Sequence, residues 1–77
     1  MSDDPSPPAT LVLRGDHITL AHALKAVGAA GTGGQAKVLV RGGSALVNGE
    51  PATQPGRKLR AGERFGVVGG REWTIIA

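Results

Sequence analysis

The sequence predicts an α+β fold in which two helices pack against a small sheet. Two segments carry apolar residues at spacings of three and four, which places those residues on one face of a helix. They are followed by Asn48-Gly49, the strongest short signal for a β-hairpin, and by two apolar segments around Gly69-Gly70. The predicted elements are an edge strand at 10–14, helices at 19–28 and 34–42, and sheet strands within 45–53, 64–68 and 71–76.

The N-terminal segment differs in composition from the rest of the chain. Residues 1–9 are expected to form a disordered tail, because they include three prolines and two acids and no large core-forming residue beyond Met1. Residues 10–77 are expected to form one domain. Leu11 and Leu13 alternate with polar or outward-facing residues, and this period of two predicts a strand at the edge of a sheet.

The first helix has a start signal, a stop signal and an apolar stripe. Thr19 is suited to the N-cap position, where its hydroxyl accepts a hydrogen bond from a first-turn N–H group. Gly28 is expected to end the helix. The residues predicted to face the core are Leu20, Ala23, Leu24 and Val27.

The second helix is predicted to bury one face and to carry two cations on a flank. Lys37 and Arg41 are four residues apart, so they lie one turn above each other. Gly42 and Gly43 supply the backbone freedom that ends a helix in a left-handed residue. The residues expected to face the core are Ala36, Leu39 and Val40.

The C-terminal half is predicted to be strands and turns. Segment 54–58 is interpreted as a turn that carries two adjacent cations, Arg57 and Lys58, with Leu59 anchored in the core. Trp73 is expected in the core rather than on the surface as a platform for bases. The last two strands would share one apolar face made of Phe65, Val67, Trp73 and Ile75.

The composition excludes several functional classes. The chain has 77 residues and no Cys, so disulfides, thiolate catalysis and Cys-based zinc sites are excluded. His17 and His22 do not share a helix face, so no metal site is expected. The sequence has no catalytic constellation and no phosphate-loop motif, so neither an enzyme nor a cofactor is expected. No apolar run approaches the ~20 residues that span a bilayer, and no signal peptide is recognised, so the expected location is the cytoplasm.

Positive charge is concentrated in the middle of the chain. The net charge is +3, but the segment from His17 to Arg64 holds seven Lys and Arg residues against two Glu residues, a local charge of +5. A small domain with such a concentration of positive charge favours a polyanionic partner.

One motif resembles a known family. From Ala36 to Glu63 the chain contains A-K-x-L-V-R-x-G-x-x-x-V-N-G followed by P-x-x-x-L-x-x-G-[DE]. This pattern resembles the αL-motif RNA-binding domain, also called the S-four domain, and in particular its small stand-alone bacterial members. The resemblance covers about residues 18–68. It implies two helices on a small, mostly antiparallel sheet, and binding of structured RNA through the helix pair and the adjoining loop.

The resemblance and the charges together give a predicted site. We call Lys37, Arg41, Arg57 and Lys58 the basic ledge; Lys25 and Arg71 are expected to lie outside it. The expected partner is a ribosomal, transfer or small regulatory RNA, bound by a monomer. The residues predicted to bind RNA are Thr32, Gly33, Gly34, Gln35, Lys37, Arg41, Asn48, Arg57, Lys58 and Arg60.

Two other functions remain open at the level of the sequence. A ubiquitin-like sulfur carrier has a similar size and a similar Val-Asn-Gly turn, but it needs a C-terminal Gly-Gly, whereas Gly69-Gly70 is internal and is interpreted as a turn. A basic module that docks on an acidic protein is the other alternative.

Overall fold

The computed structural model describes residues 9–77, so eight of the nine residues of the predicted tail lie outside it. Ala9 is described, and its carbonyl oxygen accepts a hydrogen bond of 3.0 Å from the N–H group of Thr74. Two helices are present, α1 (Leu20–Ala26) and α2 (Gly33–Arg41). The strands are β1 (Thr10–Val12), β2 (Ile18–Thr19), β3 (Ala45–Val47), β4 (Glu50–Ala52), β5 (Lys58–Leu59), β6 (Arg64–Val67) and β7 (Glu72–Ile76).

Five of the strands form one mixed sheet, in the order β1-β7-β6-β3-β4. The three pairings that involve β3 or β6 are antiparallel, and β1 lies parallel to β7 at the edge. The predicted α+β class, the mostly antiparallel sheet and the edge position of the first strand are therefore confirmed. β1 is shorter than the predicted 10–14, although the N–H group of Leu13 still donates to the carbonyl of Ile76 at 2.7 Å.

The turn between β3 and β4 has the geometry that its sequence predicts. Asn48 and Gly49 both adopt positive φ angles, 53° and 84°. Two successive residues of that kind match the turn whose twist suits a two-residue hairpin. Residues 45–53 are thus two strands joined by a tight turn, as the Asn-Gly pair indicates.

Helix α1 begins at its predicted cap and both helices end at the predicted glycines, whereas α2 begins one residue earlier than predicted, at Gly33 after the cap Thr32. The hydroxyl of Thr19 accepts a hydrogen bond from the N–H group of His22 at 3.3 Å. At the end of α2, Gly43 has a φ of 81°, and the N–H group of Ser44 donates to the carbonyl of Leu39 at 3.1 Å. This is the Schellman arrangement that ends a helix in a left-handed residue.

The core joins both helices to the sheet. Leu20, Ala23 and Leu24 are fully buried, while Val27 is half-buried at the end of α1. The aromatic ring of Trp73 is half-buried and stacks on the ring of Phe65, with centroids 5.6 Å apart. From α2, Ala36 and Val40 are fully buried and Leu39 is half-buried.

One pairing was not predicted. Segment 54–58 is only partly a turn, because Lys58 and Leu59 form β5 and pair with Ile18 and Thr19 of β2 in a second, two-stranded sheet. Strands of two residues have no hydrophobic period, so only their partner across the fold reveals them. No helix within residues 9–77 is long and apolar enough to cross a membrane.

Candidate functional site

The two helices enclose a shallow groove of about 250 Å³. We call it the interhelical groove. It is lined by Lys25 from α1 and by Lys37 from α2, and both side chains are exposed. Lys25, which was expected to lie outside the basic ledge, lines the same groove as Lys37, because α1 packs on α2. The other residues that line the groove are Thr19, Ala21, His22 and Gly33.

The groove carries unbalanced positive charge. No carboxylate lines it, and within residues 9–77 the observed ion pair is Arg64 with Glu72, at 3.6 Å on the sheet. Lys25 and Lys37 therefore have no acidic partner in the part of the chain that the structure describes. Two ammonium groups beside one concave surface attract an anion.

The N-terminus of α2 opens into this groove. The Thr32 hydroxyl accepts a hydrogen bond from the N–H group of Gln35 at 3.1 Å, and the Gln35 side-chain oxygen accepts one from the N–H group of Gly31 at 3.0 Å. The N–H groups of Gly33 and Gly34 lie in the first turn of α2 and have no acceptor within the helix, and no other acceptor among residues 9–77 bonds to them. Two free donors thus point out of the positive end of a helix dipole.

The start of α1 is different because a loop of the protein covers it. The N–H group of Leu20 donates to the carbonyl of Arg57 at 2.9 Å, and that of Ala21 donates to the carbonyl of Pro55 at 3.1 Å. The first donors of α1 are therefore satisfied within the fold, whereas those of α2 are available to a ligand.

Nothing in the fold requires glycine at the start of α2. Neither Gly33 nor Gly34 has a positive φ angle. A Cβ atom at Gly33 would meet no atom within 4 Å, and one at Gly34 would meet only the Thr32 hydroxyl, at 3.8 Å. Glycine in a helix interior is less favourable than alanine by up to ~1 kcal/mol, so neither the packing nor the backbone conformation of the fold explains the two glycines.

The remaining members of the basic ledge do not line the interhelical groove. Arg41 is exposed one turn beyond Lys37 on α2. Lys58 is exposed, whereas its neighbour Leu59 is buried. In the β2–β5 pair, Lys58 lies opposite Thr19, and Thr19 lines the interhelical groove. Arg57 is also exposed, and its carbonyl lies at the start of α1.

Asn48 and Arg60 belong to a separate cluster around Glu63. The Asn48 side-chain oxygen accepts a hydrogen bond from the N–H group of Arg64 at 3.0 Å, and its amide donates to the Glu63 carboxylate at 3.5 Å. The same carboxylate accepts from the N–H group of Arg60 at 2.6 Å. These contacts hold the turn after β3 against the start of β6. An RNA contact by Asn48 or Arg60 stays a prediction, as do those of Thr32 and Gln35, whose side-chain oxygens cap α2.

The model of the S4 domain family matches residues 11–76, nearly the whole described chain. The chain belongs to the S4 domain family. The resemblance that the Ala36–Glu63 motif indicates is therefore confirmed. The S4 domains are a family of RNA-binding domains, and membership implies RNA binding in this general sense. No match was found among the curated proteins.

Two other features bear on the functional alternatives. Gly69 and Gly70 lie in the turn between β6 and β7, where Gly69 has a φ of 74°, so this Gly-Gly pair cannot serve as the free tail of a sulfur carrier. Within residues 9–77 no cluster of three His, Cys, Asp or Glu side chains could hold a metal ion.

Proposed function

We propose that this S4 domain is a non-catalytic RNA-binding protein. It binds the phosphate backbone of a structured RNA at the interhelical groove. The observation that carries the proposal is the juxtaposition of Lys25 and Lys37 with the open N-terminus of α2. Two cations and the free N–H group of Gly33 converge there, the free N–H group of Gly34 follows it in the chain, and no carboxylate lines the groove. The chemistry suits a phosphodiester, which offers two charged oxygens as acceptors.

The second part of the proposal concerns how the contact extends along the RNA. Arg41 continues the cationic surface along α2, and Arg57 and Lys58 continue it past the start of α1. Cations along two packed helices can meet successive phosphates with little loss of backbone freedom. Such contacts position the protein on folded RNA without reading its sequence, so we infer recognition by shape.

Charge reversal on α2 tests the proposal. The double variant Lys37→Glu with Arg41→Glu replaces two attractions with two repulsions on exposed positions, so the core is unchanged. We expect its affinity for a short, fully paired RNA hairpin to fall by more than about tenfold, or ~1.4 kcal/mol, in fluorescence anisotropy. The thermal midpoint should move by only a few degrees.

A reversal away from the groove provides the control. Arg71 is exposed beside the β6–β7 turn and lines neither the groove nor the ledge. Arg71→Glu should reduce RNA affinity much less than the double variant. Equal losses would show that only net charge matters. Polyglutamate, added as a competitor at the same charge concentration, should displace little RNA; efficient displacement would favour the basic protein-docking module instead.

A further inference from the structure

A second groove lies between β1 and α1 and has a volume of about 400 Å³. We call it the strand–helix groove. Its size falls within the range of pockets that hold small molecules, roughly 300–1,000 Å³. Part of its lining is aliphatic and half-buried, formed by Leu11, Leu13 and Ile18, while its polar lining consists of Arg14, His17, Thr19 and His22.

The strand–helix groove adjoins the interhelical groove. Thr19 and His22 line both of them, so the two grooves meet at the first turn of α1. The two grooves are therefore neighbours on the protein surface, and adjacent parts of one ligand can occupy them.

The lining of the strand–helix groove suits a nucleobase better than a second phosphate. Arg14 is its one Lys or Arg side chain, and no carboxylate lines it; Asp16, in the neighbouring turn, is exposed to solvent. His17 and His22 are exposed aromatic rings, whereas Phe65 and Trp73 stack on each other in the fold. Unpaired RNA bases stack on imidazole rings and guanidinium planes and tolerate aliphatic surfaces on their other face.

We propose that the strand–helix groove holds one unpaired nucleotide of the RNA whose backbone is bound at the interhelical groove. The inference rests on the proposed function. The base lies against the aliphatic lining and stacks on an imidazole ring or on the Arg14 guanidinium, which also neutralises the neighbouring phosphate. The domain therefore prefers a helix interrupted by a bulged nucleotide to a continuous helix.

Two RNA hairpins with the same stem test this inference on the full chain. One is fully paired, and the other carries a single bulged position occupied by a fluorescent adenine analogue. We expect the bulged RNA to bind about fivefold to tenfold more tightly, as stacking of one base on a protein surface allows. The emission of the analogue should fall on binding, because the base becomes stacked.

Two variants locate the base. Arg14→Ala removes the guanidinium, and Ala26→Leu fills the groove from an exposed position on α1. Ala26→Leu should lower the affinity for the bulged RNA to that of the paired RNA and leave the paired RNA unaffected, and Arg14→Ala should weaken binding of the bulged RNA more than binding of the paired RNA. Arg71→Ala is the matched control, an exposed arginine outside both grooves, and should keep the preference.

The outcomes separate this inference from the proposed function. Equal binding of the two hairpins by the unmodified protein overturns the nucleotide site while RNA binding stands. A preference that persists in both variants also overturns it, because the base is then held elsewhere. If the unmodified protein binds neither hairpin, the proposed function itself is contradicted.

Discussion

Lys25 of α1 and Lys37 of α2 line one groove at the N-terminal end of α2. There the backbone N–H groups of Gly33 and Gly34 have no acceptor among the described residues. The two lysines are far apart in the sequence, and each is exposed on its own helix. Their proximity comes from the packing of α1 against α2 through buried residues such as Leu24 and Ala36. The cationic surface therefore belongs to the helix pair and not to α2 alone.

Lys25 should contribute to RNA binding as much as Lys37 does. We expect Lys25→Glu and Lys37→Glu each to lower the affinity for a paired hairpin by about fivefold to tenfold, or ~1–1.4 kcal/mol. If both cations contact the same phosphate, the double variant will lose less than the sum of the two single losses, because neighbouring sites are not additive. An unchanged affinity in Lys25→Glu would mean that, of the two helices, only α2 contributes cations to RNA binding.

The affinity for RNA should depend steeply on salt. If Lys25, Lys37, Arg41, Arg57 and Lys58 each meet a phosphate, log affinity should fall against log salt with a slope of about −3.5 to −4.5, taking ~0.7–0.9 per contact. The Lys37→Glu, Arg41→Glu variant should show a slope smaller by about 1.4–1.8, measured by anisotropy over a salt series. A flat response would mean that stacking, and not phosphate contact, dominates binding.

The helices and the hairpin turns were predictable because their signals are local. Thr19 and Gly28 bound α1, Gly43 ends α2, and Asn48-Gly49 needs two positive φ angles that few other residue pairs adopt. The β2–β5 pairing was not predictable in the same way. Each strand has two residues, and the hydrogen bonds that define it come from a segment far along the chain.

In the candidate site, too, some positions follow from the local sequence and others depend on tertiary packing. Lys37 and Arg41 could be placed on one flank of α2 from their spacing alone. The position of Lys25 depends on how α1 crosses α2, which spacing within one helix does not determine. The hydrogen bonds of Asn48 in the Glu63 cluster could not be predicted from the sequence either. A polar side chain that suits an RNA contact also suits a tertiary hydrogen bond.

Gly66 should be essential to the sheet rather than to binding. A Cβ atom there would lie 2.5 Å from the carbonyl oxygen of Arg71 and 3.0 Å from the Cα atom of Glu72, so β7 would have to move away from β6. We expect Gly66→Ala to reduce the free energy of unfolding by about 1–3 kcal/mol in urea denaturation. Gly56→Ala is the control, since a Cβ atom at Gly56 meets nothing within 4 Å. Equal stability of the two variants would contradict the close approach of β7.

Alanine at the start of α2 should separate stability from function. Gly33→Ala and Gly34→Ala add a methyl group in open space to residues whose φ angles alanine adopts freely. Each should therefore raise the free energy of unfolding by about 0.4–1 kcal/mol, because the unfolded chain loses freedom. If a phosphate approaches the N–H groups of these residues closely, the methyl groups obstruct it. We expect the double variant to bind the paired hairpin about fivefold to tenfold more weakly, or ~1–1.4 kcal/mol.

A control on the same helix distinguishes obstruction from a general stiffening of α2. Val38 is 73% exposed and lies away from the N-terminus, and Val38→Ala raises helix propensity without covering a backbone donor. It should stabilise the domain slightly and leave RNA affinity unchanged. If Gly33→Ala with Gly34→Ala stabilises the domain and binds RNA as well as the unmodified chain, the phosphate does not sit at the helix start. The cations of the interhelical groove would then have to hold the RNA without the help of the α2 backbone.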